Sequence, residues 1–396
     1  MTSARLGFTP WSVSGTHAHS LWIHAVSVGE VQAAQPLIHA IRQRDPGKKV
    51  ALSVTTRTGM EVAKKALAGT PDVLGPLPFP LDLPWAVNRR LREIRPAAVI
   101  FIDTEIWPNL ICGAARQNAR LFLANGRISD RSFGRYKMAR FYLKSLFDRF
   151  TFFWMQSELN AERIIALGAP RDRVRVSGNL KIDAMGLSLK NSSDAPLTDA
   201  TPFFLAASTH AGEEEIVLAA AKTWKDQGRV FRLAIAPRHP ERAGVVRSLV
   251  ESFGFHPVLR SAIRNGGGPQ WPKDAGDSDV LLIDTIGELS LFFPRAALVF
   301  VGGSLVPTGG HNIFEPAAFG RPILYGPHME NFREADEALG GKGAIRLNSA
   351  AAFAGVAEKL LFDREQAAAL GKKARETFES LQGAANRMAS ELLEAL

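Results

Sequence analysis

The chain has 396 residues, 46% of them apolar, with one cysteine and a formal charge of +9. That length exceeds what one hydrophobic core usually organises and predicts two domains of similar size. A lone Cys112 excludes an internal disulfide and fits a reducing compartment. No apolar run approaches the roughly eighteen residues of a membrane-spanning helix. The opening MTSARLGFTPWSVSGTHAHS is too polar and too rich in Pro and Gly for a signal peptide, so a soluble protein is expected. The positive charge points to an anionic partner without choosing among nucleic acid, phospholipid and phosphorylated sugar.

The first apolar run, 21–27 (LWIHAVS), stops at Ser27-Val28-Gly29-Glu30 before a helical pattern opens. Two readings of Glu30 stand side by side. Ser27 and Glu30 fit an S-x-x-E capping box; alternatively, a carboxylate held at the carboxyl end of a buried strand does chemistry. Further strand-like runs occur at 49–55, 97–103, 120–125, 150–157 and 173–178. Between Arg116 and Arg149 there are nine Lys or Arg against two Asp, and 135–150 (RYKMARFYLKSLFDRF) interleaves that charge with aromatics. As one helix it would place Ala139, Tyr142, Leu143, Leu146 and Phe150 on one face and Lys137, Arg140 and Lys144 elsewhere. That pattern suits either an anionic membrane surface or an ordinary core-packed helix.

Residues 183–202, rich in Ser, Asp and Pro, read as a linker. The alternation resumes at 203–208, 231–237, 256–260, 279–284, 297–303 and 321–326. Short apolar strands alternating with helices predict parallel sheets covered on both faces. The expected organisation is therefore α/β, with a domain at 1–182, the linker, and a domain at 203–396 whose last helices return toward the first. Polar punctuation after the strands of both sets predicts a cleft lined by strand carboxyl ends.

The second set carries the densest signals. In 300–328 (FVGGSLVPTGGHNIFEPAAFGRPILYGPH), Gly302, Gly303, Gly309 and Gly310 allow sharp turns and close approach to a ligand. A helix opens near Asn312, with Glu315 in its first turn, where amides attract phosphate and a carboxylate accepts ribose hydroxyls. DTIGELS (284–290) is a second capping-box candidate, or a glycine turn whose amides face phosphate. PRHPER (237–242) places Arg238 and His239 just after a strand, as a solvated turn or an anion contact. No metal-binding motif, nucleophile elbow, Walker A sequence or dinucleotide fingerprint is present.

Taken with TEIWPNL (104–110), NGRISDRS (125–132), GNLKID (178–183) and ASTHAGEE (207–214), these stretches resemble the Kdo transferases, which attach 3-deoxy-D-manno-octulosonic acid (Kdo) to lipid A in Gram-negative bacteria. The resemblance runs in family order over residues 5–345. It implies a GT-B glycosyltransferase of two Rossmann-like domains, the first binding the acceptor and the second binding CMP-Kdo. It assigns Glu30 as the general base of an inverting transfer to a lipid A precursor. It implies CMP contacts from Pro237, Arg238, His239, Gly287, Glu288, Gly303, Ser304, Asn312 and Glu315, with Glu105, Arg127, Lys181 and His210 beside Kdo or acceptor. Glu105 is alternatively a structural partner of Arg127. No metal or other cofactor is expected, because the donor carries a single phosphate that helix amides, Arg238 and Lys181 can balance.

The resemblance also implies peripheral attachment to the cytoplasmic face of the inner membrane. Family members usually begin with a hydrophobic anchor helix followed by a piece like Arg5-Leu6-Gly7, and no anchor precedes that piece here. NGRIS and IDTEIW replace the commoner NARLS and METELW and keep the charged residues. The competing enzyme reading is a GT-B protein acting on a UDP-sugar, as transferase or epimerase. A basic protein that binds nucleic acid without catalysis is a third reading, and nucleic acid is not an expected partner.

Overall fold

The computed structural model describes residues 5–6, 11, 20–70, 72–190, 201–263, 276 and 279–396. Gly7 of the Arg5-Leu6-Gly7 piece lies outside them. The chain divides into two compact units, Met1–Leu187 with Leu381–Leu396, and Ser188–Ser380.

The first unit contains β1 (Leu21–Ala25), β2 (Val50–Val54), β3 (Val73–Pro78), β4 (Ala98–Ile102), β5 (Arg120–Gly126), β6 (Phe152–Met155) and β7 (Val174–Val176). They form one sheet in the order β3-β2-β1-β4-β5-β6-β7, and every neighbouring pair is parallel. The second unit contains β8 (Phe203–Thr209), β9 (Arg232–Pro237), β10 (His256–Leu259), β11 (Asp279–Leu282), β12 (Leu298–Val301), β13 (Ile323–Tyr325) and β14 (Ala344–Arg346), in the order β10-β11-β9-β8-β12-β13-β14. This sheet is parallel throughout as well. The central strands β1, β4 and β12 are buried along their whole length, which is why they read as unbroken apolar runs. The strand order switches sides between β1 and β4 in the first sheet and between β8 and β12 in the second, where β11 also inserts between β9 and β10. Such switch points open a crevice at the strand carboxyl ends.

Two strands fall outside the expected set. β3 (VLGPLP) contains a glycine and two prolines, and β14 is three residues long. Both are edge strands, where a missing backbone donor is tolerated and a short run suffices.

The expected linker also starts differently. Residues 183–190 continue the helix Leu180–Lys190, because KIDAMGLSLK consists largely of helix formers and Leu180 and Ile182 are buried. Its remainder, 191–200, lies outside the described residues. The last helix, Ala384–Glu394, packs in the first unit, burying Ala385, Met388, Ala389 and Leu392 against the core beneath Val28–Arg44. Asp183 fixes its start by accepting the amides of Gly383 (2.7 Å) and Ala385 (2.6 Å), and Glu391 accepts the Trp154 indole N–H at 2.6 Å.

The basic aromatic segment is not one helix. Asp130–Met138 and Arg140–Phe147 meet at Ala139, whose φ of −98° and ψ of 15° break the ladder. The break turns Leu143, Leu146, Phe147 and Phe150 into the core. Tyr142, expected on the buried face, stays outside with Met138 and Phe141.

Candidate functional site

Each unit places a group of chemically capable side chains at its switch point. In the first unit, Glu30 stands in the first turn of the helix Val28–Arg44, directly after β1. Its carboxylate accepts the Val26 amide at 2.6 Å and the Ser27 hydroxyl at 3.1 Å. This is not the reciprocal capping box, since Ser27 donates to the carboxylate and caps no amide of the helix. Glu30 is 8% exposed. Burial, then the charge of Asp103, raises its pKa above the ordinary carboxylate value, while the two hydrogen bonds and Lys181 pull the other way.

Across the switch point, Asp103 comes just after β4 with φ of 57°, and Asn125 near the end of β5 has φ of 63°. Asp and Asn are the residue types that enter the left-handed region most readily after glycine. Asn125 donates to Asp103 at 2.5 Å, and its side-chain oxygen accepts the Leu180 amide at 2.9 Å. That bond orients the helix carrying Lys181, whose ammonium lies 3.7 Å from Asp103. Glu105 completes the group: burial, then the negative charges of Glu30 and Asp103, pushes its pKa to about 7. Three carboxyl groups from the ends of β1 and β4 thus converge with the ammonium of Lys181, from the helix after β7, around the Asn125 carboxamide of β5.

Arg127 is exposed, and its backbone, not its guanidinium, ties it down: its N–H donates to Thr104 Oγ1 at 3.0 Å, and its carbonyl accepts that hydroxyl's proton at 2.6 Å. The alternative Glu105–Arg127 ion pair does not form among the described residues. Asp103 is a member that sequence reasoning missed. In the sequence it is one polar residue at the end of an apolar run, with nothing to mark its left-handed backbone.

In the second unit a cavity of about 200 Å³ opens at the ends of β8, β9 and β12. Arg238, His311, Asn312 and Glu315 form its polar wall, and Leu289, Phe293 and Phe332 its apolar wall. Glu315 lies in the short helix Phe314–Ala318, accepts the Asn312 amide at 3.2 Å, and has its pKa raised by burial. Pro237 is buried at the end of β9, and Arg238 comes next with its N–H on the Thr209 carbonyl.

Other expected CMP contacts are tied to protein partners. Glu288 accepts the Thr285 hydroxyl at 2.6 Å and pairs with Arg260. Gly287 and Glu288 lead only into the 3₁₀ turn Leu289–Leu291, not into a helix. The amides of Gly303 and Ser304 are occupied: Glu213, fully buried, accepts Gly303 N–H at 2.7 Å, Ser304 N–H at 3.0 Å and Leu305 N–H at 2.9 Å. Ser304 Oγ donates to the Val301 carbonyl and accepts the Gly326 amide. The glycine-rich loop therefore closes on its own chain. A Cβ on Gly302 would stand 2.7 Å from Ser208 O and Glu213 Oε2, and one on Gly310 2.4 Å from Met329 Sδ.

His210 lies in the second unit, directly after β8. Its Nε2 is 2.9 Å from His311 Nε2, and His239 stands edge-on to it at 5.9 Å. His311, inside the Gly309-Gly310-His311-Asn312 run, is the second residue that sequence reasoning left unassigned.

Residues 2–184 match the family model for the 3-deoxy-D-manno-octulosonic acid transferase (kdotransferase). A 3-deoxy-D-manno-octulosonic acid transferase of Haemophilus influenzae is 34% identical over 374 residues, 93% of this chain and 85% of that one. Its Bordetella pertussis counterpart is 30% identical over 393 residues, 97% and 89% of the two chains. Among solved structures, a UDP-GlcNAc 2-epimerase from Neisseria meningitidis superposes with a TM-score of 0.65 over 95% of this chain and 100% of its own, at 14% identity. That likeness is one of fold, and it identifies the two parallel sheets as a GT-B architecture. The extent of the sequence identity decides the rest: the chain is a glycosyltransferase, and it belongs to the Kdo transferases.

Proposed function

We propose that the chain moves Kdo from CMP-Kdo to a lipid A precursor, lipid IVA, with inversion, as a step of lipopolysaccharide biosynthesis, and that Glu30 is its general base. The observation that carries this is the Glu30 carboxylate, held at the switch point by Val26 and Ser27 with its proton affinity raised by burial and Asp103. A base needs a pKa closer to the working pH than an ordinary carboxylate has. In this reading Glu30 takes the proton of a sugar hydroxyl as its oxygen attacks the anomeric carbon of Kdo. The bond from that carbon to the phosphate oxygen breaks, and CMP leaves with the electron pair. Glu105, Lys181 and Arg127 contact Kdo or the acceptor, and Asp103 holds Lys181 in place.

The cavity of the second unit suits a nucleoside monophosphate: Arg238 for the phosphate, Asn312 and Glu315 for ribose hydroxyls, and Leu289, Phe293 and Phe332 for a flat base. Pro237, His239, Gly287 and Glu288 border it in this reading, and Gly303 and Ser304 contribute by shaping the loop, their amides being occupied by Glu213. One phosphate is balanced by Arg238 without a metal ion. The acceptor is a lipid, and Met138, Phe141 and Tyr142 stand 84%, 92% and 56% exposed among exposed Arg135, Lys137 and Arg140. This combination fits peripheral docking on the anionic cytoplasmic face of the inner membrane.

Incubation with CMP-Kdo and a tetraacylated lipid A precursor, read by mass spectrometry, tests the proposal. Products heavier by whole Kdo units are expected. Transfer from a UDP-sugar instead, or stabilisation against heat by UDP and not CMP, would replace it with the UDP-sugar reading.

A further inference from the structure

The proposed reaction leaves one built feature unused, the contact between His210 and His311. Their Nε2 atoms are 2.9 Å apart, and the ring planes lie within 14° of each other with centroids separated by 5.2 Å, so the rings meet edge to edge. Both are held in place. The backbone N–H of His210 donates to Glu213 Oε2 at 2.9 Å, and the same oxygen accepts the Gly303 amide. Gly303 has φ of +65°, and a Cβ there would lie 2.9 Å from His311 Cδ2 and 3.0 Å from Nε2. The glycine thus makes room for the imidazole.

Two neutral imidazoles joined through Nε2 have a fixed proton inventory. One ring donates Nε2–H and keeps a bare Nδ1; the other accepts at Nε2 and carries its hydrogen on Nδ1. The bare Nδ1 takes one further proton without breaking the contact, and the shared hydrogen bond becomes charge-assisted. A second proton would need the accepting Nε2 and would break it. The couple therefore titrates as a unit with room for one proton.

His210 faces Glu213, Glu214, Arg242 and His239, and His311 faces Arg238 and His239. Burial comes first among the causes that hold both rings below the usual imidazole range, His311 at about 4, so the resting couple is neutral at pH 7. His311 also lines the cavity beside Arg238. An anion entering there reverses the balance, because an opposite charge within about 4–6 Å favours the protonated ring.

Resting on the CMP-Kdo reading, we propose that His210 and His311 form a single proton-accepting couple that faces an anionic oxygen of the donor and takes up one proton when that oxygen is seated. The oxygen belongs to the phosphate or to the Kdo carboxylate, and both present the same chemistry to the couple.

The test is calorimetric titration of the whole protein with CMP, cytidine and free Kdo at pH 7.5, each in PIPES and in Tris, whose ionisation heats differ. The expected result is uptake of about 0.5–1 proton per bound CMP or per bound Kdo, none with cytidine, and loss of that uptake in His210→Gln and His311→Gln. Uptake with CMP assigns the phosphate, and uptake with Kdo alone assigns the carboxylate. Heats equal in the two buffers for both anions, or uptake unchanged in His311→Gln, overturn the couple while leaving CMP-Kdo as donor. No binding of CMP at all overturns both. Should the variants fail to fold, the comparison of CMP and Kdo with cytidine in the unaltered protein still decides.

Discussion

Glu213 accepts the amide of Gly303 at 2.7 Å, and the same carboxylate takes the amides of Ser304, Leu305 and His210. A buried side chain thus satisfies a concave run of backbone amides. Glu213→Ala leaves four donors without their acceptor. An unsatisfied buried polar group costs about 1–3 kcal/mol, and partial relaxation makes a total loss of about 3 kcal/mol or more the expected outcome in urea denaturation. Glu213→Gln, which keeps one acceptor oxygen, is expected to lose less.

Glu105 has a folded pKa of about 7 against an ordinary value of 4.5. A carboxyl that holds its proton more tightly when folded favours the folded state below pH 4.5. That advantage fades as pH rises through 7. Discounted for partial solvent screening, the loss is about 1–2 kcal/mol. Glu105→Gln removes the titration, so the variant is expected to gain stability relative to the parent at pH 8 and to lose that gain at pH 5. Urea midpoints at the two pH values check this.

The exposed face at the Ala139 break predicts a membrane phenotype. Lys144 is already paired with Asp148 at 2.9 Å, so Lys137 and Arg140 are the better positions for charge reversal. Each basic residue near an anionic surface contributes about 1 kcal/mol. Reversing both is expected to weaken binding to phosphatidylglycerol vesicles at least about thirtyfold, with Phe141→Ser weakening it further. Unchanged vesicle association in sedimentation would leave the face without this role.

Much of the architecture was legible because buried parallel strands are continuous apolar runs, as in β4 (AVIFI) and β12 (LVFV). The edge strands β3 and β14 were not, since Gly, Pro and brevity are tolerated only where a sheet ends. The break at Ala139 was illegible for another reason: helical periodicity runs through it, and only the packing of Phe147 and Phe150 decides which face turns inward. In the site, Glu30 announced itself by its place after a strand. Asp103 and His311 did not, because their neighbours come from other strands and from a loop about one hundred residues away. The glycine-rich run signalled close approach, and the protein groups that come close are Glu213, His311 and Met329.

The proposed donor carries one phosphate and Arg238 lines the cavity, so Kdo transfer is expected to continue in excess EDTA at an unchanged initial rate, monitored by product mass. Loss of transfer that added Mg²⁺ restores would assign charge balance to a metal instead.

The central claim is that Glu30 removes the acceptor's proton. Glu30→Gln preserves the size of the side chain and an oxygen for the Val26 amide but has no base. Initial rates of Kdo transfer, measured beside CMP-Kdo affinity in the same preparation, are expected to fall by about 10²–10⁴-fold with affinity unchanged. Turnover within a few-fold of the parent would contradict the assignment.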